Sequence, residues 1–356
     1  MTRASRGRGG GGGRVATPTG GRSPLTLALL ASTAALLAVV VVAVGLGSVT
    51  VEPGQVVAAL LRGVRGEELG PLDRVVWQLR LPRVLLAALV GAGLALAGSV
   101  FQGVFRNPLA EPYLIGTASG AGFGAVLVMT VGAGVPLLAR LGAPLVAFGF
   151  AILTVALVLA LARAGGAVPT VRLILAGVVV GSLFTAATSF LLVAAREQAA
   201  GILAWLLGGF GFSTWGQVRA MLLFTLPALA LAGAFARALD LLQLGEEGAA
   251  LLGLDVERVK LLLLGVATLV TAAAVSVAGI IGFVGLIVPH AARLALGRPH
   301  ARLLPTATVW GAAFMVLADL VARSVIAPVE VPVGIVTALV GGPFFLWLLR
   351  GRGAGA

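Results

Sequence analysis

Cysteine is absent from the 356-residue chain, lysine occurs once, as Lys260, and histidine occurs twice. Without cysteine there is no disulfide framework, no thiolate metal site and no cysteine nucleophile. A P-loop needs glycines followed by lysine and Ser/Thr, but Lys260 stands in the apolar sequence VKLLLL. G-x-S-x-G, H-E-x-x-H and Cys/His clusters are also missing. We therefore expect no enzyme activity, no metal ion and no cofactor in this chain.

Charged residues are scarce as well, at 11% of the chain, whereas 59% of the residues are hydrophobic. Soluble domains carry roughly 25% charged residues, so this chain cannot cover a water-facing surface. In lipid every backbone N–H and C=O must be paired within the protein, which leaves helices or closed barrels. The chain lacks the alternating pattern of barrel strands. The sequence therefore predicts an all-α integral membrane protein.

Ten apolar segments are candidates for helices that cross the membrane. A span needs about 20 mostly apolar residues, and eight segments satisfy this clearly. Two others, 113–133 and 284–296, are shorter or interrupted by glycine. The clear candidates are 25–46, 82–104, 138–162, 171–195, 218–239, 259–281, 304–326 and 333–350.

The distribution of arginine predicts how the chain is oriented. Residues 1–24 are rich in glycine and arginine, which is typical of a disordered tail. The run 25–46 is too long for a signal peptide and indicates a retained first span. With the N-terminus inside, 16 of 25 Lys and Arg residues fall on the inner side, so both termini are predicted to be cytoplasmic. Topology thus explains the net charge of +12 better than nucleic-acid binding does. The outer segment 47–83 keeps five arginines and breaks the rule.

Two segments with the spacing A-G-x9-P suggest an inverted repeat. AGSVFQGVFRNP places Pro108 ten residues after Gly98, and AGIIGFVGLIVP places Pro289 ten residues after Gly279. Five spans separate the copies, and an odd number turns the second copy over, as in many transporters. One short match in a glycine-rich chain is weak support by itself.

The stretch FQGVFRNPLAEPYLIGTASGAGFGAV, residues 101–126, combines a proline-fixed turn with a glycine-rich helix. Asn107 and Glu111 each precede a proline and are therefore disfavoured in the α region, which marks helix boundaries. Gly116 and Gly120 begin a series at four-residue spacing that would let another helix approach closely. The stretch fits either the lining or gate of a pathway, or a tight turn followed by ordinary helix packing.

Few ionisable side chains lie within the spans. Asp319 and Arg323, near the outer end of one span, are four residues apart and can pair. The span centres are nearly free of charge, which argues against a proton- or sodium-coupled carrier. His290 is either a proton relay or metal ligand, or a polar residue at the inner end of a helix. The role of His300 stays open.

Acidic residues gather in QLGEEGAALLGLDVERVK, residues 243–260. Glu246 and Glu247 suit the first turn of a short helix that Gly253 would end. Asp255 is then predicted to cap a second helix. This inner segment is either a capped, solvated loop or a docking site for a cytoplasmic partner.

Four motifs resemble one protein family in the family's own order, across residues 25–350. They are the stretch from LRLPRVLLAALVGAG to IGTASGAGFGA, then LGEEGAALLG, AGIIGFVGLIVPHAARL and VEVPVGIVTALVGGPFFLWLLR. The chain is similar to FecCD/BtuC-like permease subunits of ATP-binding-cassette importers for iron chelates (siderophore, haem) or vitamin B12.

The resemblance implies a type II importer permease fold with helices 2–5 repeated in inverted orientation as helices 7–10. It implies a pathway between two permeases, as a homodimer or with a homologous chain, in the lipid of the bacterial cytoplasmic (inner) membrane. Two ATPase subunits, which bind ATP and Mg, would contact the inner face, and an extracytoplasmic solute-binding protein the outer face. Residues 25–350 would form the permease domain, and 240–258 its coupling helices.

The resemblance also implies roles for single residues, because they stand at the family's motif positions. VPTV, residues 168–171, departs from the Ser/Thr often found at the second gate. The implied ATPase-docking residues are Leu244, Gly245, Glu246, Glu247, Ala249, Leu252 and Gly253; the gate and pathway residues are Asn107, Pro108, Leu109, Thr170, Gly116 and Gly120; the binding-protein docking residues are Arg80, Arg83 and Arg323.

The cargo is the least determined part. A ferric siderophore is expected first from its frequency in the family, with cobalamin or haem as alternatives. An ion-coupled secondary transporter, or a scaffold or receptor that transports nothing, are the alternatives from other functional classes.

Overall fold

A computed structural model describes residues 24–47, 51–163, 168–195, 197–297 and 299–352 of the chain. All regular secondary structure in these ranges is helical. The tail predicted to be disordered, residues 1–24, lies outside the described residues except for Pro24.

The described residues form fifteen α-helices, and each of the ten predicted spans corresponds to one of them. Eight helical segments are long and apolar enough to cross a membrane, and Val284–Leu296 and Val333–Leu348 are shorter apolar ones. The helices are α1 (Pro24–Gly45), α2 (Pro53–Arg65), α3 (Pro71–Arg74), α4 (Leu81–Val104), α5 (Thr117–Val131), α6 (Pro136–Ala162), α7 (Thr170–Ala194), α8 (Ala199–Leu206), α9 (Trp215–Ala234), α10 (Ala236–Leu242), α11 (Glu246–Leu251), α12 (Val256–Ala278), α13 (Val284–Leu296), α14 (His300–Ser324) and α15 (Val333–Arg352).

The second span begins well before the predicted residue 82, because a π-helical turn at Val75–Arg80 joins α3 to α4. Pro82 has no N–H to donate and would normally interrupt a helix. Leu81 N instead donates to Val76 O, five residues back, and the wider turn lets the helix continue through the proline. The outer segment 47–83 is therefore largely helical.

The A-G-x9-P match does not mark equivalent positions. Gly98 lies inside α4, whereas Gly279 follows the end of α12 with φ of 71°. Pro108 lies in a turn, whereas Pro289 lies inside α13. What recurs is coarser: a long helix, an irregular segment and a short helix, as α4 then α5 and again as α12 then α13.

α4 is largely buried and packs against α9, α12, α13 and α14. Its contacts with α13 and α14 are backbone against backbone. A Cβ atom at Gly98 would lie 1.9 Å from Gly285 O on α13, and one at Gly311 of α14 would lie 2.4 Å from Gly91 O. Only glycine permits this approach, so small residues set the helix spacing.

A side chain of α4 satisfies the backbone that a proline disrupts in α13. Pro289 has no N–H, so it cannot donate to Gly285 O, four residues back. The buried Gln102 donates from Nε2 to Gly285 O at 3.2 Å and to Leu286 O at 3.3 Å, and its Oε1 accepts from Arg293 Nη2 at 3.1 Å. The carbonyl exposed by the proline is thus paired within the protein, as a low-dielectric surrounding requires.

The bundle has two polar ends. The basal end, as we call it, holds the turn after α4, α10, α11 and the start of α14, and Gln243 Nε2 donates there to Gly103 O at 2.8 Å. The apical end holds α2, the loop before α9 and the loop before α15, and Val333 N donates there to Gly208 O at 3.0 Å.

The contact between α4 and α13 can be tested by Gly98→Ala. The added methyl group overlaps Gly285 O, and overpacking of this kind costs about 1–3 kcal/mol, so thermal unfolding in detergent should occur at a lower temperature. Gly265→Ala on α12 is the control, because a Cβ there meets nothing within 4 Å. Equal unfolding temperatures for the two variants would contradict the close approach.

Candidate functional site

A cavity of about 610 Å³ lies between the start of α5 and one face of α7. Its α7 wall carries Ser182, Thr185 and Ser189. Each hydroxyl donates to the carbonyl four residues back on its own helix, at 2.8–2.9 Å. The hydroxyl hydrogens are thus already donated within the helix. The α7 wall offers acceptor oxygens and apolar surface, and it carries no charged side chain.

Glycines line this cavity and allow the backbones around it to approach closely. Gly116, with φ of 80°, directly precedes α5 and lines the cavity. On α7, a Cβ at Gly177 would lie 2.4 Å from Leu114 O. Gly120 has another role: a Cβ there would lie 2.0 Å from Thr154 Oγ1, so it packs α5 against α6. This close approach follows the four-residue glycine spacing, and the pathway roles of Gly116 and Gly120 stay predictions.

Glu111 is a buried carboxylate at the edge of the cavity that the sequence analysis did not select. Its Oε1 accepts a hydrogen bond of 2.7 Å from Phe283 N, and Phe283 has a φ of 70° just before α13. Tyr113 OH donates to Ile281 O at 2.9 Å in the same segment. Burial raises the pKa of Glu111, and the Phe283 hydrogen bond opposes that shift. The cavity is therefore fixed to the turn between α12 and α13.

The predicted gate residues lie at two separate places on the basal side. Asn107 is exposed, and its Oδ1 accepts from Leu109 N at 2.9 Å, which closes a turn around Pro108. Thr170 is the first residue of α7 and is partly exposed. Among the hydrogen bonds of the described residues, none joins Thr170 to this turn.

α11 lies at the basal end and contains three of the seven predicted ATPase-docking residues, and the other four flank it directly. Glu246 and Glu247 occupy its first turn, as predicted. Gly245, with φ of 100°, precedes the helix and Gly253, with φ of 86°, follows it. Asp255 Oδ1 then accepts from Arg258 N at 3.3 Å, which confirms the predicted cap of α12.

Apolar side chains of α11 and its flanks point in opposite directions. Ala249 is fully buried and anchors the helix. Leu251 is 89% exposed, and Leu244 and Leu252 are more than half exposed. Exposed leucines beside exposed acids form a surface suited to a protein partner. Leu251 was not among the predicted docking residues, although its position between two of them was a usable signal.

Lys260 is a further residue to which the sequence analysis assigned no role. Its side chain is only 2% exposed, and Nζ lies 3.3 Å from Glu246 Oε1 and 2.9 Å from Glu257 Oε2. Glu257 Oε1 also accepts from Val168 N at 2.9 Å. The three charged groups form a basal cluster that joins α11, α12 and the segment leading into α7.

Both histidines contact other residues of the chain. His300 is buried at the start of α14, where its N and Nδ1 lie 3.0 and 2.6 Å from Asp240 Oδ1 of α10. The His290 ring packs edge-on against Phe344, with 6.0 Å between centroids. Within the described ranges, no group of three His, Cys, Asp or Glu residues could hold a metal ion.

At the apical end, the predicted docking arginines are engaged within the chain. Arg80 donates to Val44 O and Gly45 O at 3.1 and 3.0 Å, and Arg323 donates to Leu46 O at 2.7 Å and to Ala43 O. These carbonyls lie at the C-terminal end of α1, so two guanidinium groups cap that helix.

Arg83 is held by two carboxylates. It donates to Asp319 at 2.9–3.2 Å and to Glu330 at 2.7 and 3.0 Å. These hydrogen bonds lower the pKa of Glu330. The Arg323 to Asp319 pair foreseen from the sequence is present but longer, at 3.6 Å. The docking role implied for these arginines stays a prediction, and the structure adds that each of them already has partners within the chain.

Comparison with known proteins fits this architecture. The FecCD transport family matches residues 35–351. The cobalamin import system permease protein BtuC of Halobacterium salinarum is 48% identical over 278 residues, covering 78% of this chain and 74% of the relative. The hemin transport system permease protein HmuU of Yersinia pestis is 40% identical, covering 77% and 83%.

A solved structure described as an inward-facing metal-chelate type ABC transporter superposes with a TM-score of 0.80 at 33% identity. It covers 92% of this chain and 99% of the solved one. The buried Gly-mediated crossings, the cavity and α11 thus belong to a transport subunit, for which ATP hydrolysis resides on a separate chain. The chain belongs to the FecCD transport family, as a membrane-spanning permease subunit of an ABC importer.

Proposed function

We propose that the chain forms one half of a translocation pathway whose cargo is a metal chelate. The observation that carries the proposal is the α7 wall of the cavity, where Ser182, Thr185 and Ser189 supply hydroxyl groups and no side chain is charged. A wall without charge or free donors gives a large chelate no deep free-energy minimum. The direction of chelate transport is then determined by ATP hydrolysis on a partner subunit.

The pathway is completed by a second permease, either a copy of this chain or a homologue. The α7 wall is exposed, and beside its hydroxyl groups it carries Val178, which is 56% exposed. A stripe of hydroxyls is unfavourable against lipid but suits the wall of a shared aqueous pathway. α7 of the partner would face this wall.

The basal end is proposed to face the cytoplasm, with both chain termini on that side. The excess of arginine on this side supports the orientation. α11 would then contact an ATPase subunit through Glu247, Leu251 and Leu252. The apical end would receive an extracytoplasmic solute-binding protein.

For the cargo we propose cobalamin first, because the 48% identical relative is a cobalamin import permease. Ferric siderophores, expected first from the family's frequency, and haem are the alternatives. The permease would be reconstituted in liposomes with the ATPase and binding protein of its importer, and uptake of radiolabelled cyanocobalamin compared with uptake of hemin and ferrichrome. ATP-dependent uptake of cobalamin alone supports the choice. Uptake driven by an ion gradient without the ATPase would overturn the importer assignment.

Reversing one exposed charge on α11 should weaken ATPase binding. Glu247→Lys places a cation in the first turn of α11, where it opposes the helix dipole and the expected partner surface. We expect the amount of ATPase that co-purifies to fall about tenfold, because substitution of a charged interface residue commonly weakens binding by such a factor. Glu68→Lys, an exposed acid at the apical end, is the matched control and should leave co-purification unchanged. Equal retention in both variants would remove α11 from the docking surface.

Glu330 competes with any acidic partner of Arg83. Glu330→Gln removes the carboxylate that accepts from both Nη atoms of Arg83. If a carboxylate of the binding protein pairs with Arg83, this substitution should raise the affinity of docking by about three- to tenfold, as measured by surface plasmon resonance. Glu68→Gln controls for the loss of one negative charge. Unchanged or weaker docking by Glu330→Gln would show that Arg83 serves only the internal cluster.

A further inference from the structure

The basal cluster is built around the chain's single lysine. Lys260 lies in the second turn of α12, and only 2% of its side chain is exposed. A buried ammonium group loses its hydration and persists only when it is well paired. Two carboxylates supply that pairing, Glu246 from the first turn of α11 and Glu257 from the preceding turn of α12.

Glu257 extends the cluster to a third element. One of its oxygens lies 2.9 Å from Lys260 Nζ, and the other accepts from Val168 N at 2.9 Å. Val168 is buried and stands two residues before Thr170, where α7 begins. A continuous path of polar contacts therefore runs from α11 through Lys260 and Glu257 to the helix that forms the cavity wall.

The geometry makes this path responsive to movement. Glu246 and Lys260 lie on different helices. When α11 moves, either their contact breaks or α12 and the Val168 segment move together with α11. Breaking it leaves a buried ammonium group with one partner instead of two, which is unfavourable. Moving the three elements together keeps the pairing.

We propose that Lys260 is a positioning residue that transmits the movement of α11 to the start of α7. This inference rests on the proposed function, in which α11 receives the ATPase and α7 lines the pathway. Lys260 is buried, so it would act through Glu246 and Glu257. Arg258, two residues before Lys260, pairs with Asp255 at 3.1 Å but is 88% exposed, and it reaches no third element in the described ion pairs.

The test compares Lys260→Gln and Lys260→Arg with Arg258→Gln as the matched control. In the complex with ATPase and binding protein, Lys260→Gln should leave ATPase co-purification within about twofold of the wild type. The stimulation of ATP hydrolysis by the binding protein should fall at least about fivefold, because the two sites lose their coupling. Lys260→Arg keeps the charge and should restore at least half of the stimulation, and Arg258→Gln should behave as the wild type.

A double-substitution cycle separates transmission from simple loss of structure. Glu257→Gln should reproduce the defect of Lys260→Gln, and the two together should be no worse than either alone, because both interrupt one path. Additive defects, or full stimulation in Lys260→Gln, would overturn the proposal. Loss of ATPase binding without rescue by Lys260→Arg would do the same.

Hydrogen–deuterium exchange provides a readout that needs neither ATPase nor cargo. In the isolated permease, Lys260→Gln should speed exchange of the amides at 168–175 several-fold, whereas Arg258→Gln should not. Unchanged exchange at 168–175 would refute the link between Lys260 and α7. If instead the wild-type complex fails to retain ATPase or to transport, the proposed function fails, while the exchange result still decides whether the cluster holds α7.

Discussion

The contact of α4 with α13 and α14 at the level of the backbone is the constraint on which the bundle depends. Gly98 against Gly285 and Gly91 against Gly311 bring helix axes close enough for carbonyl oxygens to approach neighbouring α-carbons. Lipid gives apolar side chains little reason to associate, so this close packing has to hold the helices together. The same proximity lets Gln102 of α4 reach Gly285 O, which the proline in α13 leaves without its helical donor, and the neighbouring Leu286 O.

Charge is confined to the two ends of this bundle, and at each end it ties helices together. At the apical end, Arg80 and Arg323 cap α1, and Arg83 joins α4 to Asp319 and to the loop before α15. At the basal end, Lys260 joins α11 to α12, and its partner Glu257 reaches the start of α7. Ion pairs at the ends of a helical bundle can therefore be both structural and mechanical, since they connect elements that a transport cycle would have to move.

The middle of the molecule has the opposite character. The cavity beside α7 offers hydroxyl oxygens whose hydrogens are already donated within the helix, and its one nearby carboxylate, Glu111, accepts from the backbone of Phe283. An uncharged wall and charged ends fit a pathway that releases its cargo readily and takes its energy from a partner bound at one end. Mobility of the wall then depends on what holds the first turn of α7.

The sequence by itself determined the membrane class, the ten spans, the helix at Glu246 and the cap at Asp255, because these depend on composition and on neighbours within one or two turns. Only the tertiary structure decided which side chains meet across the bundle. Gly120 packs against α6, and Arg83 pairs with Asp319 and Glu330, more than 200 residues away in the chain. Lys260 looks like a lone basic residue until α11 and α12 are placed side by side. Local periodicity carries no information about such distant partners, since they are chosen by the packing of helices and not by spacing along one.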